Sequence, residues 1–465
     1  MKRLLLGLET LAVLLVGAGL VALAMLALGF AVRLAYYTLS LPAPLLALLG
    51  PWFANAVVGR PTAFGVLLFY FAPAATLGAA AVWLRILWVS RRRKARERQA
   101  HALPPADTDP APGPLPPSGP GRNIVIFCDG TSNEFCTNNT NVVKLYQMLG
   151  GSEIRFYDPG VGTFASAAAL LPISKRATMI LGLATGYGLM TSVEQAYAFL
   201  MNTWQPGDNI YIFGFSRGAY TSRVVAAMLH AFGLLPKGQE HLIPYASKML
   251  ETFTPAQAHL LSEFKDTFGR PCDVRFLGLW DTVTSYGWAW SPKTLPFTRN
   301  NPSVQIVRHA IAIDERRAFF RQNLWGSSGN VKQVWFAGVH SDIGGSYVQA
   351  ESGLSQITLQ WMWREAKDAG LRLDAVQEGR ILSTPPPALM AKMHDSMTWY
   401  WKPAELYPKE AQVKVGPNTY EMSYRFNCFR PRAIPEGSLI HTSVVQRIAA
   451  GGYTPALPKR FVIES

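Results

Sequence analysis

The chain places a serine between two glycines, Gly214-Phe215-Ser216-Arg217-Gly218, after branched and aromatic residues at 209–213. Beyond Gly218 the apolar positions Val224, Val225, Met228, Leu229 and Phe232 recur at helical spacing until Gly233. Strand, sharp turn and helix is the setting in which a strained backbone holds a hydroxyl out for attack. Gly214 and Gly218 remove the Cβ atoms that would collide there. The amides at the start of the following helix, beginning with Arg217, suit a developing oxyanion.

A serine hydroxyl is a weak nucleophile and needs a base that a third group orients. Of eight histidines, His340 stands apart. It follows the apolar run 333–339 and precedes the loop 341–345, so it emerges at a strand's C-terminal end, where open α/β sheets gather their ligands. Asp281 ends the run 274–280 in the same way. The order Ser216, Asp281, His340 is that of α/β-hydrolases. Asp342 is a rival orienter; two residues from His340, it is better suited to bracing the loop. His309, with Asp314 and Glu315, forms a weaker cluster that reads as part of a helix or insertion, with solvated or ion-paired charges.

The first strand of this domain, 123–128, ends in Asp129-Gly130-Thr131. A loop after an early strand is where esterases place one oxyanion amide, so Gly130 and Thr131 are the candidates for that backbone role. Asp129 reads equally as a turn cap and as a more direct participant. The D-x-D-G-T pattern of aspartyl-phosphate enzymes is excluded, because Phe127 stands where the nucleophilic Asp would be.

These residues need a scaffold of alternating strands and helices. A helix over 139–149, a strand over 154–157, a helix over 187–204, the elbow, and a helix over 351–371 after the histidine strand predict a mainly parallel α/β sheet with helices on both faces. The segments 236–272 and 285–330 are too long for tight crossovers and read as small caps. Trp288, Trp290 and Phe297 there are candidates for an acyl-pocket wall, ordinary packing being the alternative. The stretches 165–171 and 180–183 read as buried core or as a flap over a greasy cleft. Residues 372–465 are Pro-rich and irregular, with a final strand expected near 438–445, and no chemistry is assigned to them.

The four cysteines show no C-x-x-C spacing and read as reduced thiols. The loop 158–162 lacks a dinucleotide glycine fingerprint, and no cofactor or metal is expected. The net charge of +14 is unevenly spread: residues 1–101 hold eleven Lys and Arg against Glu9 and Glu97, which is +9 of it. The excess flanks apolar runs and is not interleaved with aromatics, so no nucleic-acid partner is expected.

Residues 4–30 and 62–89 are each long and apolar enough to cross a bilayer. The prolines between them, Pro42, Pro44 and Pro51, fit an interfacial or re-entrant connection. Two spans put both chain ends on one side. The cluster Arg91, Arg92, Arg93, Lys94, Arg96 and Arg98 outweighs Arg33 and Arg60 of the connecting loop, so the bulk of the chain is expected on the cytoplasmic face of the inner membrane. The expected organisation is an anchor over 1–98, a Pro-rich linker over 99–121, a catalytic domain over 122–371 and a C-terminal extension over 372–465.

GFSRGA at 214–219, LGLWDTV at 277–283, GVHSDIGGSY at 338–347, IFCDGTSNE at 126–134 and RHAIAIDERR at 308–317 together resemble the α/β-hydrolase domain of type VI secretion phospholipase effectors. The resemblance covers roughly residues 122–370. It implies a lipase-like triad, carried motif by motif to Ser216 as nucleophile, Asp281 as acid and His340 as base. Two N-terminal spans depart from an injected effector, so the expectation is a resident membrane-tethered serine hydrolase with membrane lipid as both substrate and anchor. The alternatives are a hydrolase of water-soluble esters, thioesters or peptides held at the membrane, and a degenerate α/β-hydrolase fold used as a binding module.

Overall fold

The computed structural model describes residues 121–130, 138–160, 188–283, 287–288, 291–292, 294–326, 329–398, 401–405, 409–416, 419–425 and 427–465. Both expected spans, the basic cluster, nearly all of the linker, Thr131, the stretches 165–171 and 180–183, and the Trp288 and Trp290 side chains lie outside them. Among the described residues, no helix is long and apolar enough to cross a membrane.

The chain runs β1 (Asn123–Cys128), α1 (Asn141–Met148), β2 (Ile154–Asp158), α2 (Leu189–Thr203), β3 (Asn209–Phe215) and α3 (Arg217–Phe232). It continues through α4 (Ile243–Thr252), α5 (Ala258–Phe268), β4 (Val274–Trp280), β5 (Ile306–Ala312) and β6 (Asn330–Phe336). Then come α6 (His340–Gly344), α7 (Gly353–Asp368), α8 (Ala375–Leu382), β7 (Leu439–His441), α9 (Thr442–Ala449) and β8 (Val462–Glu464). The eight strands form one sheet in the order β8-β7-β6-β5-β4-β3-β1-β2, every neighbouring pair parallel. An antiparallel hairpin, Lys409–Gly416 and Thr419–Arg425, stands apart from it.

Strand residues alternate between two cores because successive side chains leave opposite faces of a strand. Ile124, Ile126, Ile210, Ile212, Leu277 and Leu279 pack with α2, α3, α4 and α5 on one face. Val125, Phe127, Tyr211, Phe213, Phe276 and Trp280 pack with α1, α7 and α8 on the other. With both faces covered, the strands read as continuous apolar runs. The result is an α/β-hydrolase-like core. Its strand order reverses between β1 and β3, which puts the C-terminal end of β3 at the topological switch point where such sheets bind ligands.

Two expected caps are corrected. The segment 285–330 contains β5, a central strand inserted between the acid strand β4 and the base strand β6. Within 236–272, α4 and α5 bury Ile243, Ala246, Leu250, Leu261 and Phe264 in the α3 core. Lys265 Nζ donates to His230 O at 2.9 Å, near the C-terminal end of α3. With 16 residues, α3 is about 24 Å long, so this contact lies far from Ser216. Phe297 packs there too, edge-on to His230 at 4.7 Å, so it is ordinary packing and not an acyl wall. The expected strand at 438–445 is β7 followed by α9, because the His441 side chain accepts from Ser443 N (3.2 Å) and caps a helix.

Candidate active site

The elbow forms because β3 ends against β1 and α3 must start at once. A Cβ on Gly218 would lie 2.1 Å from Cys128 O, and one on Gly214 would lie 2.4 Å from Ser222 Oγ. Only glycine allows these approaches. Ser216 takes φ 58 and ψ −120, a conformation costly for a residue with a Cβ. Its backbone is clamped to the acid strand, Ser216 N donating to Trp280 O (3.0 Å) and Val283 N to Ser216 O (3.3 Å). Asp281 follows the C-terminal end of the neighbouring strand β4 with φ 40, a second residue in the left-handed region.

These constraints bring three distant residues together. His340 Nε2 is 2.8 Å from Ser216 Oγ, and His340 Nδ1 is 2.6 Å from Asp281 Oδ2. All three are buried. With the carboxylate facing Nδ1, the neutral imidazole carries its proton there and offers Nε2 as acceptor to the serine hydroxyl. The His340 ring lies between Phe215 (centroids 4.7 Å apart) and Phe320 (4.9 Å, edge-on). Burial lowers the His340 pKa from the ordinary imidazole value, although Asp281 opposes the shift. The base therefore stays neutral into mildly acidic solution.

His340 opens the short helix α6 and not the loop expected. Asp342 braces that helix: its Oδ2 accepts from Val339 N (3.0 Å), and its Oδ1 faces His394 Nδ1 (2.7 Å). Asp342 is thus a support for the turn that carries His340, while Asp281 faces the imidazole.

The β1 loop lies beside the elbow, since Gly218 packs directly on Cys128 O and Asp129 O. Asp129 is buried, accepting from Thr140 Oγ1 (2.6 Å) and Tyr157 OH (3.0 Å). It also accepts from Gly130 N at 2.7 Å, so the amide expected in the oxyanion hole is engaged inside its own loop. Arg217 opens α3, placing its amide at the positive end of the helix dipole.

Sequence reasoning missed Phe320 and Arg432, and gave the cluster of His309 and Glu315 no part in the site. His309 is fully buried on β5, not on a helix or insertion, and its Nε2 accepts from Thr282 N (3.2 Å), steadying the residue after Asp281. Glu315 is buried and ion-paired with Arg317 (2.9 Å), and accepts from His340 N (3.3 Å). Phe320 covers the imidazole. Arg432, from the extension to which no chemistry was assigned, grips Asp281 with both terminal nitrogens, at 2.5 Å to Oδ1 and 3.0 Å to Oδ2. Burial raises the Asp281 pKa, but Arg432 and His340 outweigh it and hold the carboxyl well below the usual carboxylate range. A signal for His309 and Glu315 was present in the RHAIAIDERR stretch; Arg432 had none.

A doubly wound parallel sheet with this elbow and hydrogen-bonded chain defines an α/β-hydrolase-like protein. The family described as type VI secretion system (T6SS), phospholipase effector Tle1-like, catalytic domain matches residues 122–365, more than half of the chain. The chain belongs to that family, and residues 122–365 are a catalytic domain of hydrolase type. A Saccharomyces cerevisiae relative, the uncharacterized protein YEL023C, is 36% identical over 225 residues, covering 44% of this chain and 33% of that one. The crystal structure of an uncharacterized protein from Pseudomonas aeruginosa aligns with 57% of this chain and 48% of its own, at 18% identity and a TM-score of 0.35. The Tle1 effector bound to the VgrG spike of the type VI secretion system aligns over 52% of this chain and 54% of its own, at 20% identity and a TM-score of 0.30. The chain thus spans about a third of the yeast relative and about half of each solved structure.

Proposed function

We propose that the chain is a membrane-tethered serine hydrolase that cleaves acyl esters of phospholipids through an acyl-enzyme. The observation that carries the reading is the continuous Ser216–His340–Asp281 hydrogen-bonded chain, at 2.8 and 2.6 Å. Membership of a phospholipase-effector family supports a lipid substrate.

In the proposed cycle, His340 Nε2 takes the hydroxyl proton as Ser216 Oγ attacks the ester carbonyl. Asp281 holds the tautomer and stabilises the imidazolium. The tetrahedral oxyanion faces the Arg217 amide at the start of α3. Collapse breaks the bond to the leaving alcohol, which takes the proton from His340. Water then gives a proton to His340 as it attacks the acyl carbon; collapse breaks the bond to Ser216 Oγ, which takes that proton back from His340 as the acid leaves.

Residues 4–30 and 62–89 would anchor this domain in the inner membrane, with the basic cluster at 91–98 keeping it on the cytoplasmic face. Inverted and right-side-out membrane vesicles from bacteria expressing the full chain test substrate and topology together. Inverted vesicles are expected to release fatty acid from added labelled phospholipid liposomes, and right-side-out vesicles only after permeabilisation, with Ser216→Ala inactive in both. Hydrolysis confined to water-soluble esters would remove the phospholipid substrate. Equal activity in sealed right-side-out vesicles would reverse the topology.

A further inference from the structure

Resting on the serine-hydrolase reading, we infer that Arg432 is a positioning residue of the site, so that the triad is complete only when the segment around residue 432 is docked. Arg432 lies outside the span matched by the catalytic-domain family, which ends at residue 365.

A guanidinium has five N–H donors in a fixed planar fork. Here each has an acceptor: Nε donates to Phe320 O (3.1 Å), Nη1 to Asp281 Oδ1 (2.5 Å) and Ala312 O (3.1 Å), and Nη2 to Asp281 Oδ2 (3.0 Å) and Phe320 O. Both side chains of the pair are 1% exposed. Asp281 is equally saturated, since Oδ1 also accepts from Ala312 N (3.0 Å) and Oδ2 faces His340 Nδ1. The carboxylate plane is therefore set by the fork, and the imidazole direction is set by the carboxylate. The same Phe320 whose carbonyl holds Arg432 lays its ring against His340.

The segment carrying Arg432 is fastened to the same loop. Glu405 is fully buried and accepts from Ala318 N (2.7 Å) with Oε1, and from Asn427 Nδ2 (2.5 Å) and Phe429 N (3.1 Å) with Oε2. Asn427 Nδ2 also donates to Arg316 O (2.7 Å).

Arg432 has an electrostatic consequence as well as a geometric one. The charged groups around the imidazole are Asp281 on its Nδ1 side, Glu315 at its backbone amide, Arg317 paired to Glu315, and Arg432 behind Asp281, with neutral His309 beyond. Removing the Arg432 charge leaves Asp281 unneutralised, which favours the imidazolium. His340 then loses its basic form at a higher pH.

The test is the second-order rate of fluorophosphonate reaction with Ser216 in the detergent-solubilised full chain, measured against pH. Arg432→Gln is expected to react about 100-fold more slowly on the plateau, through misplacement of the base, and to move the acid limb up by about one pH unit. Arg432→Lys keeps the charge without the fork, so it is expected to leave the limb in place and still react about tenfold more slowly. Arg430→Gln, on an exposed neighbour, is expected to match the wild type. A folded Arg432→Gln whose limb does not move overturns the inference, because a structural role alone would slow the reaction without moving it. Should Arg432→Gln fail to fold, a folded Arg432→Lys reacting at the wild-type rate overturns it. A wild-type chain that does not react removes the hydrolase reading itself, a separate failure.

Discussion

Replacing Ser216 by alanine is expected to lower kcat for ester hydrolysis by roughly 10³- to 10⁶-fold while leaving the fold in place. Alanine keeps the Cβ, so the strained turn at φ 58 is neither relieved nor worsened. The hydroxyl's hydrogen bond to His340 is lost, worth about 1 kcal/mol of stability. Rate and stability should therefore separate cleanly. Steady-state hydrolysis beside thermal unfolding of the same preparation checks this, and a variant that retains most of its activity would remove Ser216 from the chemistry.

The second large effect is expected at Asp281, where rate and stability should fall together. Asparagine offers one acceptor oxygen to three donor groups, the Arg432 fork, Ala312 N and His340 Nδ1. With the oxygen taken by Arg432, the amide NH₂ faces Nδ1 and forces the imidazole proton onto Nε2, which then has no lone pair for the serine. The comparable change in a serine protease lowers kcat on the order of 10⁴-fold. The Arg432 guanidinium also loses its counter-charge, and breaking a buried pair costs about 3–5 kcal/mol. Asp281→Asn is thus expected to be slow and to unfold at lower temperature, whereas Ser216→Ala is slow and stable. Kinetics and melting on both variants distinguish the two outcomes; an Asp281→Asn chain of full stability would contradict the Arg432 geometry.

Much of this arrangement is legible without coordinates, because it follows from local pattern. The apolar run 209–213, the glycines at 214 and 218 and the helical spacing after them specify strand, elbow and helix. Asp281 and His340 stand out because each ends an apolar run. Strand β5 was hidden because its two polar residues look like surface. Arg308 and His309 interrupt the apolar positions, yet Arg308 is buried and paired with Glu365 of α7, and His309 is buried against Thr282. A buried ion pair makes a central strand resemble an insertion. Arg432 was hidden for a different reason. Its partner is 151 positions away, it sits in an irregular segment, and nothing in residue type or period distinguishes it from exposed Arg430. Contacts fixed only by tertiary closure leave no periodic trace.

The central claim is that Ser216 is an activated nucleophile, and fluorophosphonate labelling with peptide mapping tests it most directly. The expected result is one adduct, on Ser216 Oγ, formed by the full chain and abolished in His340→Gln, in which the serine remains but its base is gone. Absence of any adduct, or equal labelling of Ser216 with His340 removed, would contradict the account.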